Sequence, residues 1–251
     1  MQDEIISVKN ISKIYKLGLF NHKAFIDDLK NLINIKKKKY KKDEKKIFHA
    51  LNQISFSVNK GEKIALIGKN GSGKSTFLKI LSRITIPSNG EISYEGKLLS
   101  ILEQGIGFNK EMTARDNIYL NAAFLGFSKS QTNLVMDDII EFAGIAKFVD
   151  TPIKRYSSGM LTRLGFAITI HVPSDILLVD EVLAVGDKEF REKCLSKLMS
   201  VSSDEQNKTI IFVSHEMELL KKICSRGIVL EQGNLIFDGE ITEAIDFYEN
   251  R

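Results

Sequence analysis

Cysteine is scarce in this chain. Cys194 and Cys224 are the only two in 251 residues, and they form no CxxC pair. A disulfide scaffold and a cysteine-based zinc site are therefore not expected, and a reducing compartment fits best. No apolar run approaches the roughly 20 residues that a membrane-spanning helix requires. The opening residues Met1-Gln2-Asp3-Glu4 are acidic and do not read as a signal peptide. No internal repeat is found. Strong charge of one sign is also missing from most of the chain. The net charge of +4 resides in one stretch, Lys36 to Lys46, whose eight lysines are offset only by Asp43 and Glu44. The remainder is slightly acidic. A nucleic-acid-binding face would spread Lys and Arg over a whole surface, so nucleic acid is not an expected partner. A local lysine cluster suits anionic lipid headgroups or a phosphate-bearing ligand, and equally suits a solvated loop.

What is present is the balance of an ordinary globular protein, 43% hydrophobic and 27% charged. The length suggests one large domain, or a domain with a subdomain, able to bury its own core. Strand and helix patterns alternate, which predicts an α/β fold with a mostly parallel sheet. Strand character falls at Ile5 to Val8, Ile54 to Val58, Ile64 to Ile67, Ile176 to Val179, Ile210 to Val213 and Ile228 to Leu230. A helix is expected from Thr76 to Leu81 and another from Ile241 to Glu249. The segment from about Leu17 to Phe48 interrupts the first two strands. Its first half places Phe25, Ile26, Leu29, Leu32 and Ile33 on one helical face, and its second half is the lysine cluster. We expect an amphipathic helix and a basic loop inserted into a β-hairpin. Residues 112–172 read as mainly helical, a subdomain within a sheet-forming sequence. Ser128 and Gln131 make a capping box, and Ser158 is placed to cap the next helix.

The sharpest local signal is Gly68-Lys69-Asn70-Gly71-Ser72-Gly73-Lys74-Ser75-Thr76, which matches GxxxxGK[ST] between a strand and a helix. Glycines let the backbone wrap closely around phosphate and aim successive N–H groups at it. The helix N-terminus adds a favourable dipole. Lys74 can reach the β- and γ-phosphates, and the Ser75 hydroxyl can ligate Mg²⁺. A second signal is the apolar run Ile176 to Val179 ending on Asp180-Glu181. Ligands of open α/β sheets sit at the carboxyl ends of strands. Asp180 would hold Mg²⁺, and Glu181 would be the base that polarises an attacking water. A guanine-reading NKxD motif is absent, since Asn109-Lys110 and Asn207-Lys208 both lack the aspartate. That disfavours a GTPase.

Tyr156-Ser157-Ser158-Gly159-Met160 opens a predicted helix. With Lys74, Asp180, Glu181 and His215, it makes the chain resemble an ABC transporter ATPase. More narrowly, this run and the following Arg163-Leu164-Gly165-Phe166-Ala167 resemble the subfamily that exports lipid-linked polysaccharides: O antigens, capsules and teichoic acids. Leu183 to Asp187 is similar to that subfamily's D-loop, and Glu103 to Phe108 to its Q-loop. The resemblance spans nearly the whole chain. It implies a phosphate-loop ATPase fold with a RecA-like core, an antiparallel β subdomain and a helical subdomain.

The resemblance further implies ATP and Mg²⁺ as cofactors and a head-to-tail homodimer sandwiching two ATP molecules. Ser157, Ser158, Gly159 and Met160 of one copy would contact the ATP bound by the other. Asp187 would link the two sites, and His215 would hydrogen-bond the γ-phosphate and orient the water. Tyr15 would stack on adenine, with Phe48 as a second aromatic candidate. Gln104 would sit near Mg²⁺ and sense the membrane partner. The usual LSGGQ reads YSSGM here, so Met160 brings no amide side chain. His22, His49 and His171 lack a motif and read as structural. A separate membrane permease dimer is implied, with a lipid-linked glycan as cargo. The ATPase would sit peripherally on the cytoplasmic face of the membrane. The chain stops at Arg251, and no further glycan-binding domain is expected. O antigen is the first expectation, with teichoic acid or capsule as alternatives. An ABC ATPase without a transporter, and a non-hydrolysing nucleotide-binding regulator, are rivals from other classes.

Overall fold

A computed structural model of the chain describes residues 3–17, 46–101, 107–180, 188–203 and 208–251. The predicted amphipathic helix and the lysine loop up to residue 45 lie outside these residues, as do Gln104, Glu181 and Asp187.

Two sheets organise the described residues. Strands β1 (Glu4–Leu17), β2 (Lys46–Asn59) and β4 (Asn89–Tyr94) form an antiparallel sheet in the order β2-β1-β4. A six-stranded sheet runs β5-β6-β7-β3-β8-β9. Its members are β3 (Lys63–Ile67), β5 (Leu98–Ser100), β6 (Ile176–Val179), β7 (Thr209–Phe212), β8 (Arg226–Glu231) and β9 (Asn234–Glu240). Five of these six are parallel, and β9 joins antiparallel to β8 through a tight turn. The expected parallel sheet is thus present, with one reversed edge.

Period-two alternation explains how this sheet is buried. Ile64 and Leu66 of β3, Ile176 and Leu178 of β6, and Ile228 and Leu230 of β8 belong to one apolar cluster with β1 and β2. Their alternates Ala65, Ile67, Leu177, Val179 and Val229 belong to a second cluster with the helices. Both faces are covered, which is why these strands read as unbroken apolar runs.

Helix α1 (Lys74–Leu81) lies in the first cluster. Phe77, Leu78, Ile80 and Leu81 are at most 1% exposed. Each such burial contributes roughly 1.5–3 kcal/mol, enough to hold a two-turn helix that could not stand alone. The helix begins at Lys74, two residues before the expected Thr76. Helices α2 (Ala114–Phe124), α3 (Lys129–Ala143) and α4 (Ser158–His171) fill the stretch expected to be helical. The Ser128–Gln131 capping box is formed. The α4 cap needs correction: Ser157, not Ser158, is the N-cap and accepts from the Met160 N–H at 3.2 Å. Ser158 already has helical geometry, so the capping hydroxyl comes from the residue before it.

Helices α5 (Lys188–Ser203) and α6 (Met217–Ile223) precede and follow β7, and α7 (Ile241–Glu249) packs on β8 and β9. Strands β4, β5 and β9 and helices α5 and α6 were not anticipated. β4 is exposed at four of its six positions and buried at none, and β5 is three residues long, so neither leaves a strong apolar run.

Candidate functional site

The phosphate-loop sequence leaves β3 and closes onto the N-terminus of α1. Its shape depends on glycine at two crowded points. Gly68 has φ 155°, and a Cβ there would meet Leu230 O at 2.3 Å. Gly73, the α1 N-cap, has φ 114°, and a Cβ there would meet Ala50 O and Leu51 Cδ2 at 2.7 Å. A side chain at either point would push the loop off the strands beneath it. Gly73 offers no side-chain cap, so the first N–H groups of α1 stay available to an anion. Lys74 is 7% exposed, and its Nζ donates to Gly68 O at 2.5 Å and to Lys69 O at 3.2 Å. The ammonium therefore ties the end of the loop to its start. The Ser72 hydroxyl is buried and finds no hydrogen-bond partner among the described residues.

A cleft of about 200 Å³ opens over this loop, lined on its phosphate side by Asn70, Gly71, Lys74, Ser75, Thr76 and Asp180. Asp180 reaches it from β6, and the sheet order explains how. Strand β7 lies between β6 and β3, and all three run parallel. The chain therefore leaves their carboxyl ends side by side, at Asp180, His215 and Gly68. Val213 N–H donates to Val179 O at 2.8 Å, extending this pairing to the residue before Asp180. His215 follows two residues later and is exposed. Next to it, Glu216 pairs with Arg191 of α5, and its N–H donates to Ser214 Oγ at 3.0 Å. These contacts fix the loop that carries the histidine.

The Ser75 hydroxyl and the Asp180 carboxylate share one cleft. Oxygen donors of this kind suit a hard divalent cation and leave positions for water and phosphate oxygens. The residues present therefore fit Mg²⁺ with a phosphate-bearing ligand. Glu181 follows Asp180 directly in sequence but lies outside the described residues.

The other wall of the cleft comes from β2, as Phe48 and Ala50. Tyr15 stands directly opposite Phe48 in the β1–β2 register, so the two rings share a face. Tyr15 is 39% and Phe48 47% exposed. Of the two, Phe48 lines the cleft. The Lys13 ammonium sits 5.2 Å from the Tyr15 ring centroid. Ala50 carries no chemical signal in sequence. Phe48 becomes prominent once the hairpin register sets it across from Tyr15.

Ser157, Ser158, Gly159 and Met160 stand at the N-terminus of α4 and do not line this cleft. Ser157 and Ser158 are exposed, and a Cβ on Gly159 would approach only Ser157 Oγ, at 3.9 Å. The turn is anchored from below, where the buried Tyr156 donates its hydroxyl to Phe148 O at 2.7 Å. This is an open helix start held firmly in place. No helix among the described residues is long and apolar enough to cross a membrane.

Comparison with known proteins identifies the family and the fold. The family profile described as ABC transporter matches residues 51–184. The O-antigen export system ATP-binding protein RfbB of Klebsiella pneumoniae is 40% identical, over 98% of this chain and 97% of that protein. The teichoic acids export ATP-binding protein TagH of Listeria innocua is also 40% identical, over 97% of this chain and 69% of that protein. Among solved structures, the ATP-binding subunit of an ABC transporter aligns with a TM-score of 0.73 at 18% identity, covering 98% of this chain and 94% of that one. The cassette MJ0796, solved as a dimer with ADP and phosphate after hydrolysis, aligns with a TM-score of 0.71 at 20% identity. That alignment covers 94% of this chain and 99% of the cassette.

Proposed function

The chain belongs to the ABC transporter family of ATP-binding proteins, and from that premise we propose that it is the ATP-hydrolysing subunit of an exporter for a lipid-linked surface polysaccharide, O antigen in the first instance. One observation carries the ATPase part: Lys74, Ser75 and Asp180, drawn from two strand ends, line one cleft over an N-terminal helix turn. The cargo rests on relatives 40% identical over nearly the whole chain, whose names state export of O antigen and of teichoic acids.

In this reading Lys74 and the first N–H groups of α1 bind the β- and γ-phosphates. Ser75 and Asp180 would hold Mg²⁺, which when bound neutralises charge between the phosphates. Gln104 is the further proposed contact on the metal side. Glu181 takes a proton from water as that water attacks the γ-phosphorus, and the bond to the β-phosphate bridging oxygen breaks to leave ADP and phosphate. His215 orients the water. Phe48 and Tyr15 wall the base. Ser158 and Gly159 complete the site of a second copy, which the open start of α4 permits sterically. Asp187 connects the two sites. ATP binding closes the dimer, and hydrolysis with product release reopens it. The work on the glycan is mechanical, delivered through a permease dimer that shifts between states. The protein acts from the cytoplasmic face of the membrane.

Teichoic acid is the second reading, carried by the equal identity to the Listeria protein. One experiment tests both. The gene is removed from its host and replaced by wild type or by Glu181→Gln. Glycan is then measured at the surface and on its intracellular lipid carrier. Surface glycan should vanish, carrier-linked glycan should accumulate, and wild type alone should restore export. The stalled glycan names the cargo. Unchanged surface glycan removes the polysaccharide assignment and leaves the ATPase.

A further inference from the structure

The turn between β8 and β9 is the meeting point of three elements. Gly233 N–H donates to Ser72 O of the phosphate loop at 2.9 Å, and Asn52 N–H of β2 donates to Gly233 O at 2.8 Å. The side chains repeat the link, since Asn52 Nδ2 donates to Asn234 Oδ1 at 2.9 Å. The backbones are also in close contact. Ala50 O is the first atom that a Cβ would strike on Gly73, at 2.7 Å, and also on Gly233, at 2.9 Å. The Ala50 carbonyl is thus seated against two glycines, one from the phosphate loop and one from the turn. Phe48 and Ala50 form the β2 wall of the nucleotide cleft, and Gly73 begins its phosphate wall.

We propose that Gly233 and Asn52 are positioning residues that set the span between the base-side wall and the phosphate loop, and so set the affinity for nucleotide. This rests on the cleft being the ATP site. Neither residue touches the reacting atoms. A side chain at Gly233 would wedge against Ala50 O, Ala50 C and Leu51 Cα, all of them backbone. Strand β2 would have to move away from the turn, carrying Phe48 with it. A nucleotide bridges both walls and loses contact when the span widens. A ligand that occupies only the phosphate loop does not sense it.

Gly233→Ala provides the test, with Gly144→Ala as its control. Both glycines have left-handed φ, 79° and 69°, but a Cβ on Gly144 meets nothing within 4 Å. The two variants share backbone strain and differ in the wedge. Affinity of the full chain is measured with trinitrophenyl-ATP, by displacement with ATP, ADP and inorganic tripolyphosphate. Circular dichroism establishes that each variant is folded. Gly233→Ala should weaken ATP and ADP by about tenfold and raise KM more than it lowers kcat, while tripolyphosphate stays within about threefold. Asn52→Asp, which removes the amide donor at constant shape, should weaken ATP by about threefold. Gly144→Ala should bind like wild type. Lys74→Ala should abolish binding of all three ligands. If it does not, the cleft assignment itself falls. With that control in order, equal losses in Gly144→Ala, unchanged ATP affinity in Gly233→Ala, or an equal loss of tripolyphosphate each overturn the span proposal. Where Gly233→Ala fails to fold, Asn52→Asp decides alone, and wild-type affinity refutes it.

Discussion

His171 shows how one residue couples packing to pH. Its ring stacks edge-on against Phe142, with centroids 5.0 Å apart, and Nδ1 lies 2.9 Å from Ala167 O. Burial pushes its pKa below the ordinary value, Lys193 and Lys197 push the same way, and the Ala167 carbonyl and Asp138 oppose them. The folded protein therefore prefers the neutral ring. The unfolded chain takes up a proton at about pH 6.5, so stability falls as pH drops through that value and levels off below the depressed folded pKa. His171→Gln should flatten this part of the stability curve, measured as urea midpoints between about pH 5 and 7.5. Cys194 and Cys224 are buried, and burial pushes both thiols up to about 12. They behave as small apolar core residues, in keeping with a sequence that offers no disulfide framework.

At the scale of elements, α2 depends on one buried amide. Asn117 is fully buried, its Oδ1 accepts from Asn109 N–H at 2.8 Å, and its Nδ2 donates to the carbonyls of Asn109, Met112 and Thr113. The loop that leads into the helix is wrapped around this side chain. Thr113 and Asp116 add a reciprocal capping box. Asn117→Ala would take the acceptor from Asn109 N–H and leave each of the three carbonyls with only its backbone N–H donor, at roughly 1–3 kcal/mol. Thermal unfolding should show the loss as a lower Tm. Thr113→Ala, which removes only the cap, should cost about 1 kcal/mol. Capping signals of this type were legible in sequence at Ser128 because Ser-x-x-Gln is local. Asn117 was not, because its partners depend on how the preceding loop folds back.

At the scale of the molecule, Arg226 joins the two sheets. From β8 it makes paired bonds to Asp238 of β9 at 2.6 and 2.7 Å, and it reaches Glu62 at 2.9 Å and the Ser57 carbonyl of β2 at 3.0 Å. Asp238 first, and Glu62 with it, raise its pKa against the opposing effect of burial, so the guanidinium stays charged throughout. Its side chain is 24% exposed, which moderates the cost of losing it. Arg226→Met should lower stability by roughly 1–3 kcal/mol in chemical denaturation. Arg226→Lys should recover only part of that, because an ammonium cannot grip Asp238 with two parallel bonds.

The phosphate-loop motif, the acidic strand end at Asp180 and the parallel core are legible in the sequence alone. Each is a contiguous run whose chemistry or periodicity is written in neighbouring residues. The sequence also identified Ser157 to Met160 as a helix start, though it misassigned the capping hydroxyl by one position. Which distant residues meet follows from how the strands pair in three dimensions. The strand order β6-β7-β3 brings Asp180 to Lys74 across more than a hundred residues of chain. The β1–β2 register selects Phe48 as a wall of the cleft. The β8–β9 turn reaches Ser72 and Asn52 from the far end of the chain. Such contacts are set by strand pairing and by the absence of a side chain at a crowded backbone crossing. A local pattern cannot carry them, because the atoms involved belong to segments that folding alone makes neighbours.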